Sequence, residues 1–396
     1  MRIAMLGTRG VPAAYGGFET AVEEIGARLA ERGHEVTVYC RRGKGAAAVS
    51  REYRGMRLVV LPAIRTKSLE TLSHTALSVN HVAFSKKYDA AFVFNAANAP
   101  FLPVLRMRGT PVALHVDGLE WKRGKWGGRA RAYYRWAEQT AIRTADALIA
   151  DAQGIADYYT HQFGVATELL TYGAPILRHA PSDALAGLDL EPGGYHLVVA
   201  RMEPENHVDM IVEGYRLSKA TKPLVVVGSA PYGAEYTSLV RRIAGHDERV
   251  RFLGGVYDQR VLDQLYAHAL TYVHGHSVGG TNPSLLRAMG AGTAVVAYDV
   301  TFNREVLGAD GVFFADATEA GARIASLEER PADAVVIGDR LRDRAEKTYD
   351  WEIVAAGYEA LAEKLRAGHS TRARLRRSAE EWPDASRPDD REMELL

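Results

Sequence analysis

Residues 274–292 read HGHSVGGTNPSLLRAMGAG, and this stretch decides how the second half of the chain is built. Leu270-Thr271-Tyr272-Val273 before it and Ala294 to Tyr298 after it have the branched, aromatic and apolar character of short buried strands. The unit is therefore strand, glycine turn, helix, strand. Asn282 suits an N-cap and Pro283 the first helical position, so backbone amides around Gly279, Gly280 and Thr281 should point at one spot with the helix dipole behind them. Such a spot binds phosphate. An ordinary tight loop closing a βαβ unit explains the Gly279-Gly280 pair equally well.

Working outward, His196 to Ala200, Leu224 to Val227, Val250 to Leu253, Thr271 to Val273 and Ala294 to Ala297 read as strands separated by helical stretches. The first half has the same rhythm. Arg2 to Leu6 is a strand that ends in Gly7-Thr8-Arg9-Gly10 and Tyr15-Gly16-Gly17, after which Phe18, Ala21, Val22, Ile25 and Leu29 recur at helical spacing. Further apolar runs follow at Val36 to Tyr39, Leu58 to Leu61, Ala90 to Phe94, Val112 to Leu114 and Ala147 to Ile149. Alternation of this kind predicts an α/β fold of two Rossmann-like domains, each a parallel sheet covered on both faces, facing one another across a cleft.

The expected boundaries are 1–175 for the N-terminal domain and 190–348 for the C-terminal domain. A last helix over 349–366, with Trp351, Val354, Tyr358, Leu361 and Leu365 on one apolar face, is expected to pack back on the first domain. From residue 367 to 396 the composition turns to Arg, Glu, Asp, Pro and Ser, which reads as a disordered charged tail.

Composition narrows the function classes. With 47% apolar and 25% charged residues the chain has the makeup of a globular protein, and 49 Lys plus Arg against 49 Asp plus Glu gives no reason to expect nucleic acid as a partner. The single cysteine, Cys40, excludes an intramolecular disulfide framework and fits a reducing compartment. No run approaches transmembrane length and the opening MRIAMLGTRG lacks the apolar core of a signal peptide. The expectation is a cytoplasmic protein, at most peripheral at the inner face of a membrane. A nicotinamide dehydrogenase is disfavoured because the first turn lacks Gly-x-Gly-x-x-Gly and no suitable acid follows the second strand.

Five blocks in order, GTRGVPAAYGGFET at 7–20, VDGLEWKRGKW at 116–126, VARMEPENH at 199–207, HGHSVGGTNPSLL at 274–286 and FNREVLG at 302–308, resemble the retaining glycosyltransferases of family 4. They are most similar to a bacterial subgroup described as rhamnosyltransferases. That resemblance implies the GT-B fold, a nucleotide-sugar donor held mainly by the C-terminal half, and a retaining reaction without metal or other cofactor. It also implies a glycan or lipid-linked acceptor, with L-rhamnose from a dTDP-activated donor as the sugar and peripheral contact with a membrane.

Within the resemblance, Arg201 corresponds to the family's diphosphate-binding arginine, and its guanidinium fork suits phosphate oxygens. The other reading is a surface arginine paired with Glu203 or Glu205. Gly16 and Gly17 would let the N-terminal loop approach the same diphosphate as Gly279, Gly280 and Thr281. The family's histidine or aspartate beside the sugar falls at His115 and Asp117, which strand alternation puts on one face; a structural His–Asp pair is the alternative. Trp121, Lys122 and Arg123 interleave aromatic and basic side chains, which suits a sugar acceptor, a lipid diphosphate or a helix entry alike.

The chain also departs from the family. Arg287 stands where a ribose-binding glutamate is usual, and an arginine has no acceptor for a hydroxyl. Asn206 stands where a lysine is usual. Glu305 by position would replace the lost carboxylate, with Arg287, Asn206 and Asn282 completing the nucleotide or sugar contacts. These departures keep two other readings open: a non-catalytic nucleotide-sugar-binding partner subunit, and a sugar-nucleotide epimerase of the same architecture.

Overall fold

The computed structural model describes residues 1–13, 16–42, 51–64, 66, 69–116, 118, 121, 127–229 and 234–371. The chain divides into two compact units, one comprising Met1–Thr171 with Trp351–Leu396 and the other Tyr172–Asp350.

In the first unit β1 (Arg2–Leu6), α1 (Gly17–Glu31), β2 (Glu35–Arg41), β3 (Glu52–Tyr53), β4 (Met56–Leu61) and α2 (Leu69–Phe84) lead to β5 (Ala90–Phe94). A 3₁₀ turn, α3 (Leu102–Met107), β6 (Val112–Val116), α4 (Gly128–Thr144), β7 (Ala147–Ala150), α5 (Gln153–Phe163) and β8 (Glu168–Leu169) follow. Among the described residues they form an eight-stranded sheet in the order β3-β4-β2-β1-β5-β6-β7-β8. All neighbours are parallel except the short β3–β4 pair. Of the inner strands β5 and β7 are apolar along their whole length, and every residue of β5 and β6 is buried, as a sheet covered on both faces requires.

In the second unit α6 (Asp183–Ala186), β9 (His196–Val199), α7 (Val208–Leu217), β10 (Leu224–Val227), α8 (Ala234–Ala244), β11 (Val250–Gly254) and α9 (Gln259–Ala267) come first. Then come β12 (Thr271–His274), α10 (Pro283–Ala291), β13 (Ala294–Tyr298), α11 (Thr301–Leu307), β14 (Val312–Phe314), α12 (Ala317–Glu329) and α13 (Pro331–Thr348). The six-stranded sheet runs β11-β10-β9-β12-β13-β14 and every pair is parallel. Val198, Ile211, Tyr215, Val226, Val273, Val296 and Phe314 belong to its core. Burying a side chain of this size stabilises by about 1.5–3 kcal/mol.

The last helix, α14 (Trp351–Arg366), belongs to the first unit. Tyr358 meets Phe92 of β5 edge-on with centroids 5.0 Å apart, and Glu352 and Glu359 pair with Arg32 of the α1 C-cap at 2.8 Å each. Residues 367–371, the start of the stretch expected to be a charged tail, turn at Gly368 (φ 89°) and return to Asp146 through the Thr371 amide at 2.9 Å. The remainder of that expected tail, from residue 372, lies outside the described residues.

Candidate functional site

In the second sheet the strand order reverses between β9 and β12, since β9 leads outward through β10 to β11 and β12 through β13 to β14. Loops leaving the carboxyl ends of two such strands diverge and leave a crevice, the usual ligand position in an open α/β sheet. These are the loops that carry Arg201 and Asn206 on one side and residues 275–282 on the other.

Main-chain and side-chain hydrogen bonds stitch the two loops together. The Ser277 amide donates to the Glu205 carbonyl at 3.0 Å, and His276 Nδ1 donates to Asn206 Oδ1 at 2.7 Å. Asn206 Nδ2 in turn donates to the Arg201 carbonyl at 2.8 Å, and His207 Nδ1 donates to the Gly275 carbonyl at 2.7 Å. A side chain at Gly275 has no room, because a Cβ there would lie 2.1 Å from the Asn206 carbonyl oxygen. The His207 ring stacks on Tyr298 with centroids 4.3 Å apart. Buried Asn303 of α11 donates to the His276 and Tyr298 carbonyls at 3.0 and 2.8 Å.

Asn282 caps α10 by accepting from the Ser284 amide at 2.9 Å, with Pro283 at the first helical position. Gly279 adopts φ 119°, a conformation that a side chain would strain, and Thr281 is buried. The Gly279 and Gly280 amides donate to no backbone carbonyl outside regular elements among the described residues. At the end of β12, the Tyr272 hydroxyl donates to the Val199 carbonyl at 3.2 Å and lies 3.1 Å from His274 Nδ1. Burial pushes His274 down to about 3, so the ring is neutral, and its Nε2 has no hydrogen-bond partner among the described residues.

The half-buried Arg201 pairs with Glu203 at 3.4 Å, the arrangement read from sequence as the surface alternative. Among the described residues this ion pair engages one arm of the guanidinium fork, so it holds the side chain near the loop without saturating its donors. Arg287 is engaged on the flank of α10, where it pairs with Asp263 of α9. Glu305 is half-buried on α11, and its carbonyl accepts from Arg344 at 2.9 Å. Among the described residues no group of three or more His, Cys, Asp or Glu side chains is gathered as a metal site would need.

The first unit has the same reversal, between β1 and β5. Buried Asn98 donates to the Phe94 carbonyl at 2.8 Å and to the Gly7 carbonyl at 3.4 Å, tying the two loops. Gly16 is the N-cap of α1 with φ 113°, and a Cβ there would lie 2.2 Å from the Glu19 carboxylate. That carboxylate accepts from the Arg9 amide at 3.0 Å, so Gly16 has a local reason independent of any ligand. Gly17 is the first residue of α1.

His115, which strand alternation puts on one face with Asp117, has a buried side chain. Its ring is 1% exposed, edge-on to Phe18 at 5.1 Å and stacked on Phe94 at 5.5 Å, and burial pushes it down to about 3. The physical reason is that β6 lies inside the sheet, where both of its faces are covered. Asp117, Lys122 and Arg123 lie outside the described residues. Trp121 is half-buried beneath the Arg135 guanidinium of α4, 4.6 Å from ring centre.

Sequence reading did not single out His207, His274, His276 and Asn303. The blocks that contain them were legible, but nothing in a pattern says that a polar side chain will turn inward to satisfy main-chain groups.

Known proteins carry the same organisation. Residues 194–330 match the family model for glycosyl transferases group 1, and residues 1–175 match that of a domain of unknown function (DUF1972). O-antigen chain mannosyltransferase B of Escherichia coli is 27% identical over 155 residues, which are 37% of this chain and 40% of that protein. The alignment thus spans about two fifths of this curated relative. Sucrose-phosphate synthase from Thermosynechococcus elongatus superposes with a TM-score of 0.80 at 22% identity, covering 92% of this chain and 99% of that one. HepE of Anabaena in complex with UDP-glucose gives 0.74 at 19% identity, covering 92% and 100%. The fold is that of GT-B glycosyltransferases, and the family match for glycosyl transferases group 1 falls within the second unit. Among the described residues no helix is long and apolar enough to cross a membrane.

Proposed function

We propose that the protein is a glycosyltransferase that moves a hexose from a nucleotide sugar to a glycan or lipid-linked acceptor, with retention of anomeric configuration and without a metal. The observation that carries this reading is the stitched pair of loops at the β9/β12 reversal, with Arg201 on one and the α10 N-terminus on the other. Breaking the bond between the anomeric carbon and a diphosphate leaves negative charge on the leaving group. Stabilising that charge is the main catalytic task. Arg201 would supply a bidentate cation, and Gly279, Gly280 and Thr281 would supply amides at a helix start. Asn206, Asn282 and Glu305 would complete the nucleotide and sugar contacts.

The first unit would supply Gly16 and Gly17 toward the same diphosphate and Asp117 toward the acceptor hydroxyl. His115, buried and neutral, would act by fixing the strand end that precedes Asp117. Trp121, Lys122 and Arg123 would meet the acceptor. The block resemblance supports L-rhamnose from dTDP-rhamnose as the transferred sugar, and a growing polysaccharide or lipid-linked oligosaccharide at a membrane face as the acceptor. The direct test incubates the protein with a panel of sugar nucleotides and acceptors. Transfer should be found, and Arg201→Ala should reduce it about 10²–10³-fold without loss of fold; full activity in that variant would remove the site.

One observation favours a second reading. Arg287 is held by Asp263 at the position where a carboxylate would grip the nucleotide ribose, which suits a partner subunit that binds donor without turnover. Tight nucleotide binding with no transfer to any acceptor, restored to transfer by Arg287→Glu, would establish it. Donor isomerisation without acceptor would point to an epimerase instead.

A further inference from the structure

We infer that the first unit holds a further ligand site, for a phosphorylated monosaccharide, at the edge of its sheet remote from the strand reversal. A cavity of about 310 Å³ opens there against the segments that lead into β5, β6 and β7, with the end of α14 as one wall. These strands are parallel to β1, so their amino ends lie on the edge opposite the carboxyl ends of β1 and β5. The site is therefore separate from the one proposed for transfer.

Three cations line the cavity: Lys87, Arg106 of α3 and Arg366 of α14. A Cβ at Gly109 would lie 3.5 Å from Lys87 Nζ, which puts that ammonium against the cavity wall. Arg106 reaches Asp146 only at 3.8 Å and Arg366 reaches Asp89 only at 3.9 Å, both beyond hydrogen-bond distance. The two acids are committed elsewhere. Asp146 accepts from the Val112 amide at 3.0 Å and the Ser370 hydroxyl at 3.1 Å, and Asp89 Oδ2 accepts from the Arg2 amide at 2.7 Å. They anchor strand ends, and among the described residues the side chains of Lys87, Arg106 and Arg366 donate no hydrogen bond. Donors of this kind, gathered in one place, suit the several oxygens of a phosphate. Asp89 Oδ1 makes no hydrogen bond among the described residues either, and a carboxylate oxygen accepts from a hydroxyl. Phosphate and hydroxyl together describe a sugar phosphate. The volume lies at the low end of small-molecule sites, roughly 300–1,000 Å³, and suits a hexose phosphate better than a nucleotide sugar.

Calorimetry on the full chain tests this without donor or acceptor, so its failure is separable from failure of the transfer reading. Glucose 6-phosphate should bind, more tightly than inorganic phosphate at matched ionic strength, and glucose should not. Replacing Lys87 and Arg366 together by Gln should weaken glucose 6-phosphate about 100-fold, a factor of about ten for each charge-assisted bond, with an unchanged circular dichroism spectrum. Arg201→Ala should bind it as the parent chain does. Absence of binding would overturn the assignment, as would binding that survives the paired substitution or is removed by Arg201→Ala. Inorganic phosphate held as tightly as glucose 6-phosphate would overturn the sugar as part of the ligand.

Discussion

The two sheets reverse strand order in the same way, yet what they gather at the reversal is opposite in kind. In the second unit the loops after β9 and β12 hold Glu205, Asn206, His207 and His276, which together with Asn303 of α11 bond to each other and to main-chain groups. In the first unit the strand ends and the start of α1 hold Phe18, Phe94 and a neutral His115 packed as an aromatic cluster. One topology therefore supports a polar cradle with oriented amides in one unit and an apolar platform in the other. Topology determines where a site can lie, and side chains decide what it can bind.

The sharpest way to break this comparison is Arg201→Ala. Removing one preorganised group aimed at developing charge costs about 10²–10³-fold in turnover. The thermal midpoint should barely move, because Arg201 makes one partly exposed ion pair. The measurement is transfer rate against midpoint, and a loss of stability with retained activity would make Arg201 a structural residue.

Gly275→Ala should come next. Its Cβ would collide with the Asn206 carbonyl, which is main chain and cannot swing away, so about 3 kcal/mol of stability should be lost in chemical unfolding. Asn303→Ala removes two donors and leaves the His276 and Tyr298 carbonyls short of a partner, costing about 1–3 kcal/mol. If the cradle is the donor site, nucleotide affinity should fall with it, measured by calorimetry.

Two carboxylates sharpen the comparison through pH. In the first unit burial pushes Glu138 of α4 up from 4.5 to about 7, against the pull of its bonds to Tyr159 and Tyr158. The folded chain then holds more protons than the unfolded chain between pH 4.5 and 7, so its stability falls as pH rises through that window. The loss is at most ~3 kcal/mol, and Glu138→Gln should flatten it. In the second unit burial also pushes Glu328 up, but hydrogen bonds from His196, Thr221 and the Thr221 and Lys222 amides outweigh it and hold the group at about 2. Its contribution is present above pH 4.5 and is lost as pH falls toward 2. Unfolding followed separately in each unit should show slopes of opposite sign.

The alternation of apolar runs with helical stretches was enough to read the α/β class, because a strand buried on both faces must be continuously apolar, as β5 and β10 are. The cap at Asn282 and Pro283 was legible for a similarly local reason: one side chain serves an amide two residues on. The short β14 and the two-residue β3 and β8 were not anticipated, since so few residues carry no periodicity.

What sequence alone determined, then, is whatever depends on neighbours along the chain: strand and helix periods, the glycine turns, the cap, and the two loops worth inspecting. Tertiary structure decided what depends on distance in space. It turned His115 inward between Phe18 and Phe94, paired Arg287 with Asp263, and used Asn303 to hold a loop 27 residues away. A side chain's partner is chosen by which strands lie side by side, and that order is set by the packing of the whole sheet.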